Sequence, residues 1–429
     1  MKVAWIAMGL ALLGAQAHGE ATAVELEELG IVADPETDCT AALQAALDDL
    51  GETGGVLSLP PGEYRIEGTL TLPPGVALEG SWLGPHTSQT DKGTTLLAYS
   101  GRGDETADPF ISLQTGSTLK GVTIIYPEQK VEDIQPYPWT IQGRGQHYNV
   151  IDVTIANAYN GIDCGTYHNE GHHLRNVHMC CARRGVLIDQ CTDIGRVENV
   201  HVHNVYWWRV PEKYGFPEGG HAMLEAYTRE NLEGFIIGRT DWEYMTGCFV
   251  IWAKIGFRFI QTDTPVGGVA NVVITRSGSD LGPVAVLVEK VQAHAGIAFE
   301  NCQFMSGFEI RETNRGPVKL SNCGFWGPAG AGSQMVLEGR GTVFLSTCHF
   351  DEWDPEKPCI DVRRGALICQ GSDFMAEGLA IRLGQDAASA TIIGNRFRSG
   401  EMVVTETDGP VEIIGNVGGE PGEAGMTRH

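Results

Sequence analysis

Short apolar runs recur along this chain in one phase. In the C-terminal half they are marked by ENCQF (Glu300 to Phe304), SNCGF (Ser321 to Phe325), STCHF (Ser346 to Phe350), QGSDF (Gln370 to Phe374) and GNRF (Gly394 to Phe397). The phenylalanines Phe304, Phe325, Phe350, Phe374 and Phe397 follow one another at 21, 25, 24 and 23 residues. Upstream the phase continues as polar-Val-x-apolar, at Asp152-Val153-Thr154-Ile155, Asn176-Val177-His178-Met179, Asn199-Val200-His201-Val202 and Asn271-Val272-Val273-Ile274. Second short runs open on Gly161, Gly185 and Gly247. Alternating apolar positions between Gly/Asn turns read as short strands. A unit of roughly 24 residues is too short for a propeller blade and has no helix for a helical solenoid. Such a unit cannot bury its inner face alone, but coils stacked at ~4.8 Å bury one continuous core. The expected class is therefore all-β, a single-stranded parallel β-helix of about eleven coils. The five phenylalanines should stack inward, with Cys302, Cys323 and Cys348 in a second column as small apolar groups, not disulfides.

The chain opens with Met1-Lys2, an uncharged apolar run from Val3 to Ala15, and the small-x-small site Ala15-Gln16-Ala17. This reads as a secretory signal peptide over 1–17 and predicts a secreted or periplasmic protein with no membrane segment after cleavage. Residues 18–429 are then one β-helix domain, with an N-terminal cap at about 34–80 and an aromatic loop insertion at about 205–255. The cap contains a predicted helix, with Asp38 as its N-cap and Ala42, Ala45, Ala46 and Leu50 on one face. After it come GGVLSLPPGEYRI (Gly54 to Ile66) and LTLPPGVALEG (Leu70 to Gly80).

The stretch from Asp34 to Gly80 resembles the opening of the pectate-lyase-like superfamily of right-handed parallel β-helix proteins, in particular the polygalacturonase/rhamnogalacturonase-related pattern. There a TDxTxAIQxAI helix precedes GGxVxLPxGxY and a strand ending LxG. The resemblance implies a right-handed coil and a broad carbohydrate-active class. It does not imply one reaction, because the superfamily holds hydrolases, lyases, epimerases and non-catalytic fibres. At the positions where polygalacturonase-like enzymes carry catalytic aspartates, this chain has Asn160 and, one coil on, Arg183 and Arg184. Neither amide nor guanidinium can act as a general acid there. The GHG element has only a weak echo in Gly220-His221-Ala222, with no RIK after it, and the Asp-His pair with RxPxxR of pectate lyases is missing.

Composition sharpens this picture. Glycine is 56 of 429 residues, about 13% against the usual ~7%, as many turns require. With Lys+Arg 30 and Asp+Glu 54, the net charge of −24 argues against nucleic acid and against a polyanionic glycan unless the cleft is locally basic. Eleven cysteines leave at least one thiol unpaired, and no CxxC pair suggests a zinc ribbon.

Candidate chemistry falls in two places. Asp163 and Asp189 lie on adjacent coils, with Asp163 pointing outward, a spacing open to acid/base work on a glycosidic bond. The aromatic segment adds Asp241 and Glu243 as carboxylates. The expected catalytic set is thus Asp163, Asp189, Asp241 and Glu243. Asn160, Arg183, Arg184, Trp207, Trp208, Glu225, Trp242 and Lys254 are expected to bind substrate, since flat rings suit pyranose faces and the polar groups suit hydroxyls. His178 and His201 share one outward column; no metal ligand is assigned from them. The partner is a polysaccharide or oligosaccharide, and homo-oligomerisation is left open. The first expectation is an exported glycoside hydrolase on a plant or algal cell-wall-type glycan. The alternatives are a lyase that eliminates across a uronate, with Ca2+ near Asp163 and Arg183–Arg184 neutralising the carboxylate, and a non-catalytic carbohydrate-binding or structural β-helix.

Overall fold

The computed structural model describes residues 23–85, 89–214, 216–327, 332–398 and 402–418; the signal segment 1–17 lies outside them. Every ladder between the strands is parallel, and the chain coils as a right-handed β-helix with three faces. The first coil shows the pattern: Gly55–Leu59 on face one, Gly62–Ile66 on face two and Leu70–Leu72 on face three. One inward column on face one runs Leu57, Leu78, Leu119, Val150, Leu174, Val197, Met245, Ile274, Phe299, Leu320, Leu345, Cys369, Ile392 and Ile413. That column has fourteen members, so the rod has more coils than the eleven expected. The first coils carry neither the Phe nor the Asn-Val mark and are invisible to a count based on it.

The phenylalanine stack forms as expected. Phe325–Phe350, Phe350–Phe374 and Phe374–Phe397 are stacked pairs with ring centroids 4.7, 4.8 and 4.8 Å apart, one ring per coil. Cys302, Cys323 and Cys348 are buried, and all eleven cysteines are free. The corner between faces one and two explains the recurrent asparagine. Asp152, Asn176, Asn199, Asn301 and Asn322 all have φ between 51° and 58°, the left-handed region that Asn and Asp tolerate best among non-glycine residues. Their side chains form a ladder: Asn176 Nδ2 donates to Asp152 Oδ1 at 2.7 Å, and Asn199 Nδ2 to Asn176 Oδ1 at 2.8 Å. Asn271 is out of this phase; it sits in a face-one strand opposite Asp241.

The capping helix spans Thr40–Leu50 with Cys39 at its N-cap. Asp38 stands one residue earlier and accepts from the Thr40 and Glu67 backbone N–H groups. Its buried residues are Leu43 and Leu47, flanked by Ala42, Ala46 and Leu50, while Ala45 faces solvent. The larger leucines, not the alanines, close the open end of the core because they bury more apolar area.

The excursion also differs from expectation. It covers 203–232 and is helical, with Val205–Trp208, Glu212–Tyr214 and Gly220–Asn231. From Glu233 the chain is back in regular coil, with strands Glu233–Ile237, Thr240–Thr246, Phe249–Ile251 and Ile255–Phe259. The excursion builds a second core outside the rod. Tyr206, Trp207, Val210, Tyr214 and Leu224 bury themselves against Leu97, Ile125, Ala156 and Cys180.

Candidate glycan-binding notch

The corner between faces two and three varies most in length. On the second and third coils it is long, 99–110 and 126–138; on the fourth and fifth it shrinks to 156–159 and 180–183; on the sixth it expands to the helical excursion 203–232. Two tight corners lie between longer neighbours; the excursion packs over their first residues, Ala156 and Cys180, and the notch is what remains beside Tyr159 and Arg183. The strands Asn149–Cys164 and His173–Ile188 run unbroken around its floor.

Arg184 lies in register with Asn160, which lies in register with Trp139, so these three line up across adjacent coils of face three. Arg184 Nε donates to Asn160 Oδ1 at 2.9 Å, and its guanidinium sits 4.5 Å from the Trp139 ring centroid. Arg183, at the tight corner, is directed toward the Tyr159 ring. Glu105 reaches down from the long corner of the second coil and pairs with both arginines, one carboxylate oxygen to each. Asn160 Nδ2 donates to Tyr137 O at 3.0 Å and to Glu105 Oε1 at 3.3 Å, which fixes its amide orientation. Tyr227 on the excursion helix is near enough to Tyr159 and Arg183 for both to influence its phenol. Burial pulls the Arg184 guanidinium below its ordinary value, opposed by Glu105. Arg183 remains 46% exposed at its side chain, so its guanidinium reaches solvent.

Residues 23–115 match the family described as Rhamnogalacturonase A/epimerase, pectate lyase-like. That stretch is similar to the pectate-lyase-like family, and the described chain has the parallel β-helix fold. No protein of curated function matches it in sequence. Among solved structures, the pre-mature gene product 12 of bacteriophage phi29 aligns at TM-score 0.64 and 12% identity, over 92% of this chain and 55% of that one. The N-terminal fragment of the same phage protein gives 0.57 and 13%, over 92% and 71%. DFA-IIIase from Arthrobacter chlorophenolicus A6 in complex with GF2 gives 0.51 and 12%, over 84% and 91%. At such identities the likeness concerns the fold alone.

Within the rod, most of the expected catalytic carboxylates have their oxygens bound to neighbouring groups. Asp163 has outward parity, yet it is fully buried. Its Oδ1 accepts from the Gly165 and Thr166 N–H groups and its Oδ2 from Gln142 Nε2 at 2.7 Å. A carboxylate surrounded by N–H donors also makes a poor calcium ligand, which removes the expected Ca2+ position at Asp163. Asp189 accepts from Arg239 N, Thr262 Oγ1 and Thr264 Oγ1 at 2.7, 2.8 and 3.0 Å. Glu243 is fully buried against His172. Asp241 is partly exposed, bonded to Arg239 Nη2 at 2.9 Å and Gln292 Nε2 at 3.0 Å, and lies at the start of the face-one strand Thr240–Thr246, away from the notch.

Aspartate 189 should therefore be needed for stability. Asp189→Ala strands a buried N–H and two hydroxyls and is expected to lower unfolding stability by about 3 kcal/mol, read as a shift in urea midpoint at unchanged slope. An unshifted midpoint would free Asp189 for a catalytic role.

The expected substrate-binding residues divide likewise. Asn160, Arg183 and Arg184 meet at the notch. Trp207 is fully buried in the outer core and packs the excursion down. Trp208 packs edge-on against His221, with Trp252 beside it. Glu225 pairs with Arg229 one helical turn on, and Lys254 is exposed on the tight corner of the seventh coil. Trp242 is 56% exposed at a register shift, with φ 71°. Sequence reasoning missed Glu105, whose partners lie some eighty positions away and which no local motif marks. It also missed Asp280, whose Oδ1 is buried without a hydrogen-bond partner and whose carboxyl burial pushes above its ordinary value.

His178 and His201 do sit side by side, in register and 6.4 Å apart between ring centroids. Burial first, and the neighbouring His203 and His178 second, push His201 down to about 3; burial and Arg209 push His203 down to about 4. The rings are neutral members of an aromatic cluster with Tyr206. An unfolded chain takes up these protons near pH 6.5, the native chain only near pH 4 and 3. Between those limits the unfolded state binds more protons, so stability falls as pH falls. The expected loss from pH 7 to pH 4 is on the order of 3 kcal/mol for each ring. A melting-temperature profile of His201→Asn/His203→Asn should be flatter over that range than wild type; parallel profiles would assign the acid sensitivity elsewhere.

Proposed function

We propose that this protein is an exported carbohydrate-active enzyme that binds an acidic polysaccharide across the notch and acts on the C5 proton of a uronate residue. The observation that carries this reading is the pair Arg183–Arg184 sharing the single carboxylate of Glu105 beside the Trp139 and Tyr159 rings. Two guanidinium groups already arranged around one carboxylate suit a sugar carboxylate, since arginine binds carboxylates through paired N–H donors. They also supply the local positive charge that an otherwise acidic protein needs toward a polyanion. Neutralising the uronate acidifies the adjacent C5–H. Glu105, released from the arginines when the sugar carboxylate takes its place, is the base in this reading. It removes the C5 proton, and either the C4–O bond breaks, its oxygen taking a proton from water, to leave a C4=C5 double bond, or water delivers a proton to the other face of C5. Acid/base hydrolysis is less well supported, because Asp163, Asp189 and Glu243 have their oxygens committed within the rod.

The test is a panel of uronate-containing polysaccharides, each native and with its carboxyls reduced to alcohols, assayed for binding and for products. Binding restricted to the native forms, with unsaturated or epimerised uronate in the products, supports the proposal. Equal binding of reduced glycans refutes it, and binding without turnover would make the protein a lectin-like β-helix.

A further inference from the structure

On the opposite side of the coil, three successive corners between faces three and one are tied into a short ladder of their own, in which Asn169 pairs with Cys191 and Cys191 with Thr240. Inside that ladder His172, Cys191 and Glu243, one side chain from each corner, bring a ring nitrogen, a thiol sulfur and a carboxylate oxygen within 4.8 Å of one another. His172 and Glu243 have no exposed side-chain surface.

The hydrogen bonds around this cluster fix the protons of its ring and amide, while the Cys191 thiol donates to Asp193 O at 3.0 Å, a proton that metal binding requires it to lose. Asn169 Nδ2 donates to the carbonyls of Cys164 at 2.9 Å and Asp189 at 3.0 Å. Its Oδ1 is therefore the atom that faces His172 Nδ1 at 2.9 Å, and an acceptor there requires the proton on Nδ1. The other nitrogen, Nε2, then points at Glu243 Oε1, 3.1 Å away, while Thr240 Oγ1 donates to Glu243 Oε2 at 2.9 Å. A lone pair facing a carboxylate oxygen in a dry interior is repulsive unless a positive species lies between them. Either a second proton or a metal ion must fill that role.

From the third ligand and its supports, the geometry points to a divalent metal site of the zinc type, held by His172 Nε2, Cys191 Sγ and Glu243. A mixed nitrogen, sulfur and oxygen set suits Zn2+ and excludes Ca2+ and Mg2+, which take oxygen alone. The outer contacts are those that zinc ligands use: a histidine whose remote N–H is held by an amide oxygen, and a carboxylate held by a hydroxyl. Gly195 packs directly on the cluster, where only glycine fits, since a Cβ there would lie 2.4 Å from both Glu243 Oε2 and His172 Cε1. Three ligands leave one position of a tetrahedron for water. Burial means that the ion enters as the corners fold, and its role is to lock three coils together.

The test is expression of the whole chain in defined medium containing either Zn2+ or Co2+, followed by metal analysis of the folded protein. One zinc per chain is expected, with a near-ultraviolet thiolate-to-cobalt absorption band in the cobalt form. Cys191→Ser should abolish that band, while Cys369→Ser, at a buried thiol far along the rod, should keep it. Asn169→Ala, which removes the support of His172 Nδ1 together with the bonds to the Cys164 and Asp189 carbonyls but no ligand atom, should weaken zinc affinity about 10–100-fold. If Cys191→Ser does not fold, the wild-type band and stoichiometry still decide. Folded wild-type protein without bound metal, with His172 doubly protonated by nitrogen NMR, would overturn the site and leave a proton between the ring and the carboxylate.

Discussion

Arg183→Gln/Arg184→Gln is expected to weaken binding of uronate oligosaccharides by about 100-fold or more, corresponding to roughly 2.7 kcal/mol. Charged hydrogen bonds contribute about 1.5–3 kcal/mol each, and both guanidinium groups are removed. The same variant should remain folded, because Arg183 is exposed and Arg184 only partly buried. Isothermal titration beside a thermal melt separates the two effects. Unchanged affinity in a folded variant would remove the notch from the function. Glu105→Gln discriminates further: as the base, its loss should abolish turnover while leaving uronate binding in place or tighter. If turnover survived, Glu105 would be only a placeholder for the guanidinium pair.

The second large effect concerns the rod itself. Phe350→Ala is expected to reduce stability by about 3–5 kcal/mol. Its ring is fully buried and stacked on both sides, 4.7 Å from Phe325 and 4.8 Å from Phe374. Truncation opens a cavity between two rings that neighbouring coils hold in place, so the gap cannot collapse freely. Because each coil touches chiefly its neighbours, the damage should be local, with hydrogen exchange accelerating in the strands around 342–374 before the N-terminal coils respond. Phe374→Ala in the same background should be less than additive, since the two rings share one contact. Uniform loss of protection along the whole rod would contradict a nearest-neighbour stack.

The Arg pair also shows how far local pattern reaches. Asn160, Arg183 and Arg184 were recognisable because they stand in phase with a repeat, and residues one coil apart in such a repeat become neighbours in space. Glu105 was not, since it meets them only because a long corner from the second coil folds over three coils of rod. Asp163 illustrates the converse. Its outward parity followed from alternation, but its burial depends on Gln142 from the preceding coil and on the turn at Gly165–Thr166. The His172–Cys191–Glu243 cluster was equally hidden, as each member sits in a different corner and none belongs to a spaced motif.

The sequence by itself determined the coil, the inward phenylalanine stack and the left-handed asparagine turns. Each of these repeats at a fixed interval, and in a parallel stack equal phase becomes direct contact. Tertiary structure alone decided which carboxylates are buried, where the notch opens and which side chains meet in the corners. Those outcomes depend on the unequal lengths and folding of the corner connections, a non-periodic property that no single coil records.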